Sequence, residues 1–389
     1  MDFVEAIKTL LSCSYSYSDE WQQIETLFAA SCFSDMRNTP QDPVFHGEGD
    51  VMTHTRMVCQ ALIETDTFQA LPERQKTELY LSALLHDIGK VKTTRLEDGR
   101  WVSPSHSAVG SWIVRTFLWR ECGLCGTKDA MVLRETVCAL VRYHMLPVHL
   151  TEQAEPERRA REAASIGEAA PDFTWQLLCL LAEADARGRI ATDTEDMLTQ
   201  VQLSRLAAED AGCLHGPYPF PDAYTKRAYL SGRNMWPEQP LYNDTWGEVI
   251  LFSGLPGTGK DTWIRENAGT LPMISLDGIR KELSIRPTEK QGVVVQTAQE
   301  RAKEYLRRKQ PFVWNATNFT RDTRQRLVSL IEGYGARVRI VWLETGWDEQ
   351  LRRNAGRKDA VPQAAIEKML EKTTPPMPDE AQTVEWVWV

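Results

Sequence analysis

A short apolar run, Val249-Ile-Leu-Phe-Ser253, passes directly into Gly254-Leu-Pro-Gly-Thr-Gly-Lys260-Asp-Thr262. Few sequence features constrain a fold more tightly. The pattern predicts a strand entering a loop whose glycines turn backbone N–H groups inward. A helix must follow, with its positive N-terminal end facing the same point. Gly254, Gly257, Thr258, Gly259, Lys260, Asp261 and Thr262 are therefore candidate nucleotide-binding residues, and Lys260 would reach the β- and γ-phosphates of ATP or another NTP. Ser or Thr usually follows such a lysine. Here Asp261 does, with Thr262 one place later, so either is a candidate contact for Mg²⁺.

The residues downstream alternate between strand-like and helix-like patterns. Pro311-Phe-Val-Trp-Asn-Ala316 and Val338-Arg-Ile-Val-Trp-Leu343 read as strands, with helical segments over Gln296–Lys309 and Thr323–Ile331. That alternation predicts an α/β domain with a parallel sheet over residues 246–389. Asp277 and Arg280, three apart after Met273-Ile-Ser-Leu, would share a helical face. A carboxylate there can accept a hydroxyl proton while the arginine holds a phosphate of the acceptor. Asn315-Ala-Thr-Asn318 ends a predicted strand, where polar side chains commonly face the ligand crevice. Arg353 and Arg357, four apart before Val361-Pro362, could clamp transferring phosphate from a lid.

At 389 residues the chain is long enough for two domains with self-sufficient cores. Residues 1–214 read as helical, with apolar positions at helical spacing through Val51–Ile63, Glu78–Leu85, Ala108–Leu118, Val132–Val141 and Trp175–Ala182. His215-Gly-Pro-Tyr-Pro-Phe-Pro-Asp222 cannot continue a helix and marks a boundary. Residues 215–245 read as an ordered connector.

Five of the seven histidines precede residue 145. His54, the pair His86-Asp87, His106 and His144, followed by Asp185, form a series of metal-ligand types on otherwise apolar helices. Such groups are costly to bury unless something pairs with them, and a divalent cation does so. Mixed imidazole and carboxylate ligands suit one or two ions of Mn, Fe, Co, Ni or Zn. Lys90 and Arg189 each stand four residues after a candidate ligand, one helical turn along. Cations beside metal ligands serve little structural purpose, but they fit an anionic phosphate attacked by metal-activated water. His46 is a candidate for lining the pocket. His149 and His215 read as ordinary surface residues, and Cys122-Gly-Leu-Cys125 as a loop with two spare thiols, since a closed zinc site needs four ligands.

Charge separates the two halves. Residues 246–389 carry 22 Lys/Arg against 19 Asp/Glu, whereas residues 1–245 carry 23 against 35. A mildly basic C-terminal half suits a polyanion, and the acidic N-terminal half suits metal binding or solubility. The start Met1-Asp-Phe-Val-Glu5 has no signal-peptide pattern and no apolar run reaches membrane-spanning length. With eight cysteines read as reduced thiols, these features predict a cytoplasmic protein without a membrane partner.

Two resemblances follow from these residues. From about 248 to 370, the P-loop, Asp277-x-x-Arg280, Asn315-x-Thr-Asn318 and Arg353-Asn-x-x-Arg357 resemble phage-type polynucleotide 5′-kinases. That resemblance implies that Lys260 holds phosphates, Asp277 is general base for a 5′-hydroxyl, Arg280 grips the acceptor's phosphate, and Arg353 and Arg357 contact ATP phosphates. Asp261 departs from the serine usual in that family. From about Val51 to Arg189, the series His54, His86, Asp87, Asp185 resembles the HD phosphohydrolase superfamily. His106 and His144 match the extra histidines of its two-metal members, in which Asp87 would bridge the ions.

Together the halves resemble bacterial HD–polynucleotide kinase end-healing enzymes. This implies a bifunctional enzyme acting on RNA or DNA ends, with a separate nucleic-acid ligase as a functional partner. The residues alone also admit a kinase and phosphohydrolase of free nucleotides, or a nucleotide-sensing P-loop regulator.

Overall fold

The computed structural model describes residues 5–6, 19–286 and 289–389. The reading made from Met1 to Glu5 falls, except for Glu5, outside the described residues. The chain divides into two compact units, Met1–Leu124 with Asp129–Tyr218 and Cys125–Lys128 with Pro219–Val389, as far as the described residues go. Among those residues no helix is long and apolar enough to cross a membrane.

The first unit is built from helices α1 (Val51–Ile63), α2 (Glu73–Leu85), α3 (His106–Arg120), α4 (Lys128–Tyr143), α5 (Trp175–Arg187) and α6 (Thr194–Asp210), with shorter helices between them. Asp50 starts α1 by accepting the Thr53 N–H at 2.9 Å, and Thr174 starts α5 by accepting that of Leu177 at 3.2 Å. From Thr77 to Leu85 every residue of α2 is buried, so this helix runs through the interior rather than along a surface. Helices α1, α2 and α5 pack on one another, and the apolar faces of α1 and α5 close over α2.

One element departs from the all-helical expectation. Strands β1 (Arg95–Glu97) and β2 (Arg100–Val102) form an antiparallel hairpin in which Leu96 pairs with Trp101. Asp98 and Gly99 turn it with φ of 48° and 78°. Both central residues being left-handed is what an Asp-Gly hairpin turn requires.

The second unit holds a five-stranded parallel sheet in the order β4 (Met273–Ser275), β5 (Val313–Asn315), β3 (Glu248–Ser253), β6 (Arg337–Glu344), β7 (Thr383–Trp388). Its residues alternate between two apolar layers. Val249, Leu251, Val338 and Ile340 face one, and Ile250, Phe252, Val341 and Leu343 the other. Burial on both faces is the usual state of a parallel sheet. Around it lie α7 (Lys260–Asn267), α8 (Leu276–Glu282), α9 (Gln291–Arg307), α10 (Arg321–Glu332), α11 (Trp347–Ala355) and α12 (Gln363–Leu370).

Residues 219–245 belong to this unit. Within the helix Ala223–Leu230, Arg227 donates to Glu332 Oε1 and to the Asp379 carbonyl, both at 2.8 Å. The carboxyl ends of β3, β4 and β5 lead respectively into the P-loop, into α8 with Asp277, and to Asn315. This is the edge at which open α/β sheets present ligands.

Candidate functional site

In the N-terminal unit the ends of five helices converge. His54 lies in the first turn of α1, and His86-Asp87 follow α2 directly. Gly89 then permits a close approach, because a Cβ there would stand 2.0 Å from the His106 carbonyl oxygen. The turn carrying Asp87 can thus lie against the first turn of α3 and meet His106. His144 follows the end of α4, and Asp185 stands near the end of α5.

Hydrogen bonds set the tautomer of each imidazole. His86 Nδ1 donates to the Ala83 carbonyl at 2.8 Å, His106 Nδ1 to Ser103 at 2.9 Å, and His144 Nδ1 to Val141 at 2.8 Å. His54 Nδ1 lies 3.0 Å from both the Gly188 carbonyl and Glu48 Oε1, two acceptors, so it too carries the proton. Each Nε2 is left with a lone pair. These face one another in two pairs, His54 with His86 and His106 with His144, each 3.3 Å apart. Facing lone pairs repel unless a cation lies among them.

Asp87 stands between the pairs. Its Oδ2 is 3.3 Å from His86 Nε2 and 3.6 Å from His54 Nε2. Its Oδ1 is 3.4 Å from His106 Nε2 and 3.9 Å from His144 Nε2, and is buried without a hydrogen-bond partner. Asp185 Oδ1 lies 3.1 Å from His54 Nε2. The donor atoms of His54, His86 and Asp87 lie within metal-binding range of one another, as do those of Asp87, His106 and His144. This donor set fits divalent cations, because a buried carboxylate oxygen without a donor and two pairs of opposed lone pairs need positive charge.

The electrostatics agree with that reading. Burial works against the charged Asp87 carboxylate, but Lys90 and His86 outweigh it and hold its pKa well below the carboxylate range. Asp185 behaves likewise, with Arg189 and His54 opposing burial. Burial first, then His86 and His106, push His144 down to about 3, and burial also lowers His106. Both rings are thus kept neutral, the form that ligates metal. His54 differs: burial is outweighed by Asp185 and Glu48 and its pKa rises, because these carboxylates favour positive charge at its Nε2, which a bound cation supplies in place of a proton.

Lys90 Nζ lies 2.7 Å from Asp87 Oδ2, and Arg189 Nε 3.4 Å from Asp185 Oδ1. Both line a pocket of about 230 Å³ over the donor set. His46 lines it too, whereas His149 and His215 do not. Three features in and around the site escape the sequence reading. Glu48 accepts from His46, His54 and the Ile190 N–H, and Gln41 accepts from Lys90 at 2.7 Å. The Asp98-Gly99 hairpin, a turn signal in plain view, carries Trp101 to the pocket wall.

In the C-terminal unit, Gly254, Gly257 and Gly259 adopt φ of +146°, +87° and +91°. A Cβ on Gly257 would also stand 2.6 Å from the Gln350 carbonyl, because the loop lies against α11. Gln350 Nε2 donates to the Pro256 carbonyl at 3.1 Å, a loop contact absent from the motif. Thr258 is buried and its hydroxyl donates back to Leu255 O at 3.0 Å. Lys260 Nζ donates to the carbonyls of Gly254 at 2.9 Å and Leu255 at 2.8 Å. Burial lowers the Lys260 pKa to about 8. Asp261 and Asp277 oppose this and Arg357 adds to it, which puts all three within electrostatic reach of the ammonium.

Asp261, in the first turn of α7, accepts from Asn315 Nδ2 at 2.7 Å, and Thr262 is exposed beside it. Asp277 is exposed on α8 and pairs with Arg280 at 2.5 Å, while Arg280 Nε donates to Gln291 at 2.8 Å. Arg353 lies on α11, with Nη1 3.6 Å from where a Gly259 Cβ would stand. Arg357 follows the end of α11, so the two arginines do not share one helix. Asn354 clasps Val361 through two hydrogen bonds, at 2.7 and 3.1 Å, and closes the loop that carries Arg357. The expectation for Asn318 needs correction. It is buried with φ 38°, and its amide donates to Phe252 O at 2.6 Å. It therefore ties the loop after β5 to β3 rather than facing a ligand.

Comparison with protein families finds the HD domain over residues 51–170 and an AAA domain over residues 249–376. The HD match stops short of Asp185 and Arg189, which the fold nevertheless brings to His54 and the pocket. The second match spans the P-loop, Asp277, Arg280, Arg353 and Arg357. The chain thus joins in one polypeptide a helical HD domain, of the metal-dependent phosphohydrolase type, and a kinase-like P-loop α/β domain.

Proposed function

We propose that the protein heals broken nucleic-acid ends. The C-terminal domain phosphorylates a 5′-hydroxyl from an NTP, and the HD domain removes a 2′,3′-cyclic, 2′- or 3′-phosphate. A strand broken to leave a 5′-hydroxyl and a phosphorylated 3′ end gives both sites one substrate, and a separate ligase would then seal it.

Asp277 carries this reading. A nucleotide sensor has no use for an exposed carboxylate held by Arg280 and within electrostatic reach of the P-loop lysine. A hydroxyl acceptor does, since Asp277 takes its proton as the new O–P bond forms and the bond to the β-phosphate oxygen breaks. Lys260, Arg353 and Arg357 hold the transferring phosphate and the NTP. Asp261 and Thr262 are the residues that would hold Mg²⁺, which when bound neutralises phosphate charge.

In the HD domain, His54, His86, Asp87 and Asp185 would hold one metal and Asp87, His106 and His144 a second. When bound, the metals supply Lewis acidity and lower the pKa of water. Lys90 and Arg189 draw the phosphate into the pocket and offset its charge. Water adds to phosphorus, and the bond to the ribose oxygen breaks.

Incubation with Mg²⁺ and γ-labelled ATP tests this reading, with a 5′-hydroxyl oligonucleotide and mononucleotides as competing acceptors. Label on the oligonucleotide is expected. Label on mononucleotides alone would assign the protein to free-nucleotide metabolism, and binding without transfer would make it a regulator.

A further inference from the structure

One wall of the HD pocket is chemically unlike its floor. Gln41, Phe45 and Trp101 line it, none of them part of the metal-ligand series. Gln41 is only 7% exposed, and its side-chain oxygen accepts from Lys90 Nζ at 2.7 Å. A lysine can only donate, so this contact identifies the amide oxygen and leaves the NH₂ group as the other end. That nitrogen is buried without a hydrogen-bond partner. An unsatisfied buried donor in a pocket wall is costly unless a ligand completes it.

Phe45 and Trp101, by contrast, remain 41% and 37% exposed. They come from separate segments, Phe45 from the loop before α1 and Trp101 from the β1–β2 hairpin. Arg100 joins the two, with its guanidinium 5.6 Å from the Phe45 ring centroid and its Nε donating to Asp42 at 3.0 Å. Large rings left more than a third exposed at the mouth of a polar pocket stand outside the buried core, yet they offer apolar faces beside the phosphate-directed cations Lys90 and Arg189. A nucleotide has this shape, with an anionic ester at one end and an aromatic base at the other.

We propose that Phe45, Trp101 and Gln41 form a nucleoside subsite of the HD domain. The base of the terminal nucleotide stacks on the two rings, and the Gln41 amide donates to an oxygen of its ribose phosphate. The proposal rests on the end-healing reading and narrows it: this domain acts on nucleotide ends and not on phosphate esters at large. The subsite is a binding device, and its loss acts on KM more than on kcat.

The test measures phosphate release by the full-length protein from oligonucleotides with a 3′-terminal phosphate. In one substrate the terminal nucleotide bears its base, and in the other it is abasic. The wild type is expected to prefer the base-bearing end by between about fivefold and a hundredfold in kcat/KM, the range of base–aromatic stacking. Phe45→Ala and Trp101→Ala should erase that preference by raising KM for the base-bearing end alone. Trp101→Phe should keep most of it, and because both rings are exposed the variants should fold. Equal wild-type rates on the two substrates, or equal losses on both in the alanine variants, would overturn the subsite while leaving the end-healing reading intact. No release from any ribose end would overturn both.

Discussion

His54 and His86 turn unprotonated Nε2 atoms toward each other at 3.3 Å, because the protons of both rings are committed at Nδ1, that of His86 to a backbone carbonyl and that of His54 to a carbonyl and Glu48. His106 and His144 repeat the arrangement on the far side of Asp87. The local folding of four helix ends therefore builds a centre whose groups repel without cations. Cation affinity is written into second-sphere hydrogen bonds as much as into the ligands.

Asp87 belongs both to the His54–His86 group and to the His106–His144 group. Asp87→Ala is expected to lower bound metal from about two equivalents per chain to less than one, measured by elemental analysis of the dialysed protein. Phosphate release should vanish while 5′-phosphorylation stays within about twofold, since the P-loop lies in the other compact unit. Parallel loss of both activities would mean that the two sites are not independent. Chelation should likewise lower the thermal midpoint of the N-terminal unit, because ions that bind only the native state stabilise it by mass action.

Lys260 links nucleotide binding to pH. Its pKa, lowered to about 8 from an ordinary 10.5, means that the native chain binds this proton less tightly than the unfolded chain. Between those values the group favours folding more as pH rises, whereas ATP phosphates favour the charged form and binding runs the other way. The dissociation constant for ATP is therefore expected to rise above pH 8, by less than about tenfold per unit, with proton uptake seen as a buffer-dependent heat in calorimetry. Lys260→Ala should bind weakly at every pH and lose the uptake.

For Asp277→Asn the expected result is a fall in kcat for 5′-phosphorylation of about 10²–10⁴-fold, the usual contribution of a general base, with ATP affinity little changed. The amide keeps the size and a hydrogen bond to Arg280 but cannot accept the hydroxyl proton. Unchanged kcat under single-turnover conditions would remove Asp277 from the chemistry.

Gly257→Ala probes the packing of the loop on α11. The new Cβ would meet the Gln350 carbonyl at 2.6 Å in a backbone with φ +87°. A loss of about 1–3 kcal/mol from the C-terminal unit is expected, together with loss of ATP binding, while metal content stays normal. Differential scanning calorimetry with and without ATP reads this directly.

The sequence revealed much of this because its strongest motifs tie chemistry to local structure. A P-loop needs a strand before it and a helix after it, so β3 and α7 were legible around Gly254–Lys260. The spacing of His86 and Lys90 reads as one turn of a continuing helix, but α2 stops at Leu85 and a short helix begins at Lys90, so His86 and Asp87 sit in the turn between them. What escaped depends on contacts between distant segments. Gln41 and Glu48 sit in a loop without periodicity, which closes through a Pro40–Asp50 bridge and meets Lys90 and Ile190, residues far off in sequence. Asn318 looked like a ligand-facing residue from its position after a strand, but a left-handed backbone turned its amide to Phe252. Strand β7 went unread although Thr383-Val-Glu-Trp-Val-Trp388 is rich in β-formers. It stands at the sheet's edge, half-buried, and carries no motif.

The central claim is that one broken strand is the substrate of both halves. Mass spectrometry of a single oligonucleotide with a 5′-hydroxyl and a 2′,3′-cyclic phosphate, incubated with the protein, ATP, Mg²⁺ and Mn²⁺, tests it most directly. The account predicts a phosphate gained at the 5′ end and the cyclic phosphate opened and lost at the other. Lys260→Ala should block only the first change and Asp87→Ala only the second. An oligonucleotide left intact at both ends, under conditions where the protein turns over free nucleotides, would contradict it.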